Sequence, residues 1–154
     1  MFSFFSSNYG KGAIILSHDD MSDYPAIQKY DGTLTFEIDF DHSLALTEKN
    51  LKALVFKYHD NSYISYGSNS KDFPLCMDFA ELAAADVRKG AILQSLEERP
   101  CFGVAELTKQ NGSRHAINFA FTAEGKMLFY EPQDGKWFPE TGPDYLASLD
   151  TMYI

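Results

Sequence analysis

Phe73-Pro74-Leu75-Cys76-Met77-Asp78-Phe79-Ala80 reads as a loop that delivers a cysteine to the first turn of a helix. Pro74 shortly before Cys76 suits a helix start, and Phe79, Leu82, Ala83, Asp86 and Val87 recur at spacings of three and four residues. Gly90 is placed to stop the run, so a helix is predicted over 76–89, with 91–96 as its extension or a second turn. Downstream the pattern changes to period two. Residues 101–109 alternate as a strand, and Gln110-Asn111-Gly112-Ser113 carries the strong Asn-Gly hairpin signal. Residues 115–122 alternate again, Ala123-Glu124-Gly125-Lys126 is a second turn, and 127–131 form a third strand. This half of the chain is thus expected to be a helix followed by an antiparallel meander.

Upstream the signals are weaker. Leu34, Phe36, Ile38 and Phe40 share one face of an alternating segment over 33–40, after an Asp31-Gly32 turn. Residues 13–16 are a short apolar run of strand type, and 51–58 suit either a strand or a helical turn or two. Tyr63-Ile64-Ser65-Tyr66 offers another short strand. His18-Asp19-Asp20-Met21-Ser22-Asp23 lacks the glycine turn and closing glutamate of a calcium loop, and reads as a polar loop or helix cap. Pro139, Gly142 and Pro143 break any long element over 137–154, which is expected to be an irregular tail. A chain of 154 residues without repeats or linkers suits one domain over 1–154, with 1–70 poorly assigned and 71–135 as its core.

Bulk composition narrows the function classes. A net charge of -9 argues against nucleic-acid binding, which needs clustered lysine and arginine. No run is long enough for a membrane span, and no signal peptide is evident, so a soluble protein of unknown compartment is expected. Cys76 and Cys101 are the only cysteines, which excludes a disulfide-rich scaffold.

The chemistry lies in the order cysteine, histidine, acid. A thiol becomes a strong nucleophile as its thiolate, and both a helix N-terminus and a neighbouring imidazole favour that form. Cys76 stands at the helix start, and His115 opens the second strand. Glu131 closes the neighbouring strand, where it could orient the imidazole. Taken singly, Cys76 suits core packing, His115 an exposed turn and Glu131 a solvated strand end. The ordered combination is what points to nucleophilic chemistry. Cys101, in a strand after Pro100, has no such support.

Cys76-Met77-Asp78-Phe79-Ala80, Cys101-Phe102-Gly103-Val104, His115-Ala116-Ile117-Asn118-Phe119 and Phe129-Tyr130-Glu131-Pro132-Gln133-Asp134-Gly135 together resemble the papain-like cysteine peptidase domain at the C-terminus of the fairy-ring mushroom agglutinin. The resemblance covers about the last half of the chain. It implies an α+β, papain-like fold in which the helix carrying the nucleophile packs on an antiparallel sheet. It further implies a cysteine endopeptidase acting on a protein or peptide through a thioester, with Cys76 as nucleophile, His115 as general base and acid, and Glu131 as the orienting carboxylate. Calcium is a possible cofactor, near Asp78 and Gln133, although Met77 stands where the family has its first Asp. No β-trefoil likeness is present and Trp137 is the only tryptophan, so no lectin domain is expected. The alternative is a non-catalytic papain-like domain that serves as a binding or structural component of a larger assembly, such as a virion.

Overall fold

The computed structural model describes residues 8–30, 34–38, 40–60, 66–67, 69 and 71–154. The Asp31-Gly32 turn and most of the strand expected at Tyr63-Ile64-Ser65-Tyr66 lie outside them.

A turn of 3-10 helix at Asn8–Gly10 leads to β1 (Ile14–Ser17) and α1 (His18–Ser22). Ser17 starts that helix by a reciprocal cap: its hydroxyl accepts the Asp20 N–H, and the Asp20 carboxylate accepts the Ser17 N–H. Pro25 opens α2 (Pro25–Gln28), where its missing N–H costs nothing. β2 (Thr35–Glu37) and β3 (His42–Ala45) follow. The ambiguous segment after them is helical, α3 (Glu48–Tyr58), because the Thr47 hydroxyl caps it and Leu51, Leu54 and Val55 form one buried stripe.

α4 (Cys76–Leu93) runs one turn past the predicted end, since Gly90 lies within the helix against Tyr58 of α3. A Cβ at Gly90 would sit 2.4 Å from the Tyr58 ring, so closeness to α3 rather than termination explains this glycine. β4 (Phe102–Lys109), β5 (Arg114–Phe121), β6 (Met127–Glu131) and β7 (Lys136–Phe138) form the meander, and β8 (Leu146–Tyr153) follows. The tail expected to be irregular therefore contributes a strand of eight residues.

The strands form two sheets. One pairs β1 with β3 antiparallel; the other has the order β2-β8-β4-β5-β6-β7. β2 runs parallel to β8, and the remaining neighbours are antiparallel. The expectation of an α+β, papain-like helix on an antiparallel sheet is corrected accordingly: strands in two sheets dominate the architecture, and the larger sheet is mixed. Parallel pairing of the two terminal regions leaves no local sequence signal, because no tight turn joins them.

Period-two alternation assigns the central strands to two cores. Ala116 and Ala120 on β5, with Phe102 and Val104 on β4, meet Ala80, Ala83, Ala84 and Val87 of α4. The alternate residues Ile117, Phe119 and Phe121 pack on the other face against Met21, Tyr24, Ile27 and Ala45. Small side chains on both α4 and the strand beneath it bring helix and sheet close. That closeness matters for the site at the helix N-terminus. Among the described residues no helix is long and apolar enough to cross a membrane.

Candidate thiol site

Cys76 is the first residue of α4, a helix of 18 residues, and its side chain is half-buried. Leu75 at the cap position has no side-chain oxygen, so Asp78 does the capping by accepting the Leu75 N–H at 2.7 Å. The helix dipole thus favours an anion at the sulfur. His115 comes from the start of β5, directly after the Asn111-Gly112 turn. The register that pairs Asn118 with Tyr130 brings Glu131, at the end of β6, within diagonal reach of His115.

His115 Nε2 lies 2.6 Å from Glu131 Oε2, with both side chains about nine-tenths buried. This leaves Nδ1 for the Cys76 thiol, to which the ring is hydrogen-bonded. That bond holds the thiol below its ordinary range against the opposing effect of burial, and the Ala116 and Met77 backbone N–H groups add to it. Burial alone would lower the His115 value, but the hydrogen bonds to Cys76 and Glu131 outweigh it and raise the imidazole to about 9. The two shifts have one cause: the hydrogen bond between Cys76 and His115 favours the thiolate on one side and the imidazolium on the other.

A fourth residue completes the arrangement, and the sequence reading did not find it. The Tyr145 hydroxyl donates to Glu131 Oε2 at 3.2 Å, and its ring stands edge-on to His115 with centroids 5.6 Å apart. The turn after β4 holds Tyr145, for the Gln110 N–H donates to the Tyr145 carbonyl, and Lys109 Nζ lies 4.9 Å over the ring. The other Glu131 oxygen accepts the Gln133 N–H. Tyr145 has no motif around it. Its only sequence signal is an aromatic residue beside Pro143, within a segment that reads as loop. Replacing Tyr145 by Phe takes a competing donor from Glu131 Oε2, and is expected to raise the His115 titration midpoint and to cost about 1 kcal/mol in denaturant unfolding. A midpoint and stability both unchanged would remove Tyr145 from the site.

Cys101 takes no part. It is buried against Met21, and burial pushes its thiol up to about 12. Met77 accepts the Tyr153 hydroxyl, tying the helix start to the end of β8.

Asp78 and Gln133, the residues expected near calcium, occupy different settings. Asp78 spends its carboxylate on the helix cap, and Gln133 lines a cleft beyond Glu131. Calcium requires about six to eight oxygen ligands. Among the described residues no three His, Cys, Asp or Glu side chains converge on a metal position. Treatment with a chelator is therefore expected to leave the alkylation rate of Cys76 unchanged. A loss of rate that added calcium restores would contradict this.

His115 and Glu131 form part of the wall of an open cleft of about 430 Å³. Lys109, Gln133, Asp134, Lys136 and Asp144 surround it, with Phe138 and Tyr145 as apolar surfaces. Cys76 is not in this wall and lies behind His115.

No protein-family model and no curated protein matches the chain. Its fold is similar to that of solved structures, a lectin among them. One, described as "PSL1a-E64 complex", aligns with a TM-score of 0.70 at 16% identity, over 91% of this chain and 50% of that one. Another is the Polyporus squamosus lectin bound to the human-type influenza-binding epitope Neu5Aca2-6Galb1-4GlcNAc, with a TM-score of 0.65 at 19% identity, over 89% of this chain and 47% of that one. The chain spans about half the length of these two chains. With a lectin among its fold neighbours, the expectations of a papain-like peptidase, a peptide-cleaving hydrolase and a peptide substrate are corrected. The expectation that nothing lectin-like is present is corrected with them.

Proposed function

We propose that this chain is a binding domain of a lectin-like protein, with its functional centre at the ionised Cys76–His115 pair and the cleft in front of it. The observation that carries the reading is the fixed floor of that cleft. Glu131 is engaged by His115, Tyr145 and the Gln133 N–H, and the hydrogen bonds of His115 to Cys76 and Glu131 favour the cationic ring. Such a floor does not rearrange when a ligand arrives, so little ordering cost falls on binding.

The rim suits a hydroxyl-rich ligand. Two lysines, two aspartates and an amide can exchange hydrogen bonds with hydroxyls, while Phe138 and Tyr145 give apolar surface for the C–H face of a sugar ring. Support from comparison is the fold likeness to a lectin described with a sialylated epitope bound.

Calorimetric titration with Neu5Aca2-6Galb1-4GlcNAc tests the reading. Saturable binding is expected, weakened about tenfold in Lys136→Ala or Asp144→Ala. Absence of binding would overturn the reading. So would steady cleavage of a mixed peptide pool that disappears in Cys76→Ala.

A further inference from the structure

Asn118 is a polar residue buried where an apolar one would be expected. It lies in the middle of β5, wholly buried, with Val104 of β4 opposite it on one side and Tyr130 of β6 on the other. Its amide nitrogen donates to the Ala80 carbonyl at 2.8 Å and to the Gly103 carbonyl at 3.0 Å. Its amide oxygen is buried with no hydrogen-bond partner among the described residues. An unpaired buried acceptor is destabilising, so the fold retains Asn118 at a penalty that a leucine would avoid.

The two donated bonds lie in an informative place. Ala80 is one helical turn after Cys76, and its carbonyl is the handle by which α4 is held to the sheet. Ala116, whose N–H points at the Cys76 sulfur, precedes Asn118 by two residues and faces the same side of β5. The alanines packed between α4 and β5 set how closely the two approach. The bond from Asn118 adds a directional tie between β5 and the second turn of the helix, beside the Tyr153–Met77 contact at its start.

We propose that Asn118 is the positioning residue that sets the height of Cys76 against His115 and the Ala116 N–H. It acts through the helix backbone and touches no reacting atom. The inference rests on Cys76 being one half of an ionised pair, and it adds a cause for that pairing. A slide of α4 would lengthen the bonds from His115 and Ala116 together, which a weaker His115 contact alone would not do. The titratable groups around the thiol are His115 on β5, Glu131 on β6, Lys109 on β4, Tyr145 ahead of β8, and Tyr153 through Met77.

The test is the pH profile of Cys76 alkylation by iodoacetamide in wild type and Asn118→Leu. Leucine is close in volume and removes the unpaired acceptor together with both donors, so the melting temperature should change little. The ionisation midpoint of Cys76 is expected to rise by about one pH unit, slowing alkylation about tenfold below the midpoint and leaving the alkaline plateau unchanged. An unmoved midpoint would mean that Asn118 serves packing alone, and would overturn the inference. In case the variant does not fold, the wild-type side-chain amide signals of Asn118 can be followed by NMR. They are expected to titrate with the Cys76 midpoint; signals flat through that midpoint would also overturn the proposal. Slow, His115-independent alkylation in wild type would instead remove the ionised pair itself, so the two failures are told apart.

Discussion

Replacing His115 by alanine is expected to slow alkylation of Cys76 at about pH 6, by up to roughly tenfold for each pH unit by which the pairing lowers the thiol. Without its imidazole partner the thiol returns toward its ordinary value of 9.0, at which about one molecule in a thousand is ionised at about pH 6. The paired thiol is lowered from that value by its bond to His115 and is far more ionised there. Part of the gain is offset, because a thiolate of lower basicity is intrinsically a weaker nucleophile. The ratio should shrink with rising pH and vanish above about pH 9, where both proteins are ionised. Equal rates at acid pH would show that His115 and Cys76 are neighbours without being a pair. Mass spectrometry of the intact chain reads the result cleanly, since burial keeps Cys101 unreactive.

Replacing Glu131 by alanine is expected to cost about 3 kcal/mol of stability, among the largest effects of any single change near the site. His115 and Glu131 are both about nine-tenths buried, so removing the carboxylate strands a buried imidazolium. Gln133 and Tyr145 lose their acceptor as well. Glu131→Gln keeps the shape and an acceptor oxygen, and should cost less than half as much.

The pH dependence of stability carries the same signature. The imidazole of His115 is raised to about 9, so its stabilising contribution is complete below the ordinary histidine value and is lost as pH rises through about 9. The thiol of Cys76 is lowered, so its contribution is complete above 9.0 and is lost as pH falls through its lowered value. The pair therefore stabilises the fold most between those two limits. In Glu131→Ala the alkaline flank should move to lower pH, which denaturant unfolding across the pH range would detect. An unmoved flank would mean that Glu131 does not hold the imidazolium.

Local chemistry made the components of the site legible in sequence, but not their support. A proline before Cys76, the three- and four-residue spacing after it, and the Asn111-Gly112 turn before His115 are all short-range signals. Glu131 was legible as the end of an alternating strand. Tyr145 was not, because it reaches Glu131 from a loop whose conformation depends on a backbone bond from Gln110 across the molecule. Asn118 looked like one polar residue in an alternating run, and only the helix above it explains its burial.

The mixed architecture escaped for a related reason. Leu146, Leu149 and Met152 face inward at intervals of three, where a regular strand would use two, because β8 pairs with β4 through two shifts of register. Those irregularities erase the alternation that identifies a strand. β2 has only three residues and owes its place to parallel pairing with β8. Neither segment betrays the other in sequence. The family likeness of the second half rests on short motifs, which do not specify how β2 and β8 pair.

An ultraviolet titration of the thiolate band in wild type and Cys76→Ser tests the ionised pair most directly. Cys101 is silent because its thiol is pushed up to about 12, as are the phenols of Tyr24, Tyr130 and Tyr153. Thiolate absorbance specific to Cys76 should already be present at neutral pH and disappear on acidification. If it emerges only as pH rises through 9.0, the ordinary thiol value, then Cys76 carries no charge at rest and the pair on which the site is built does not exist.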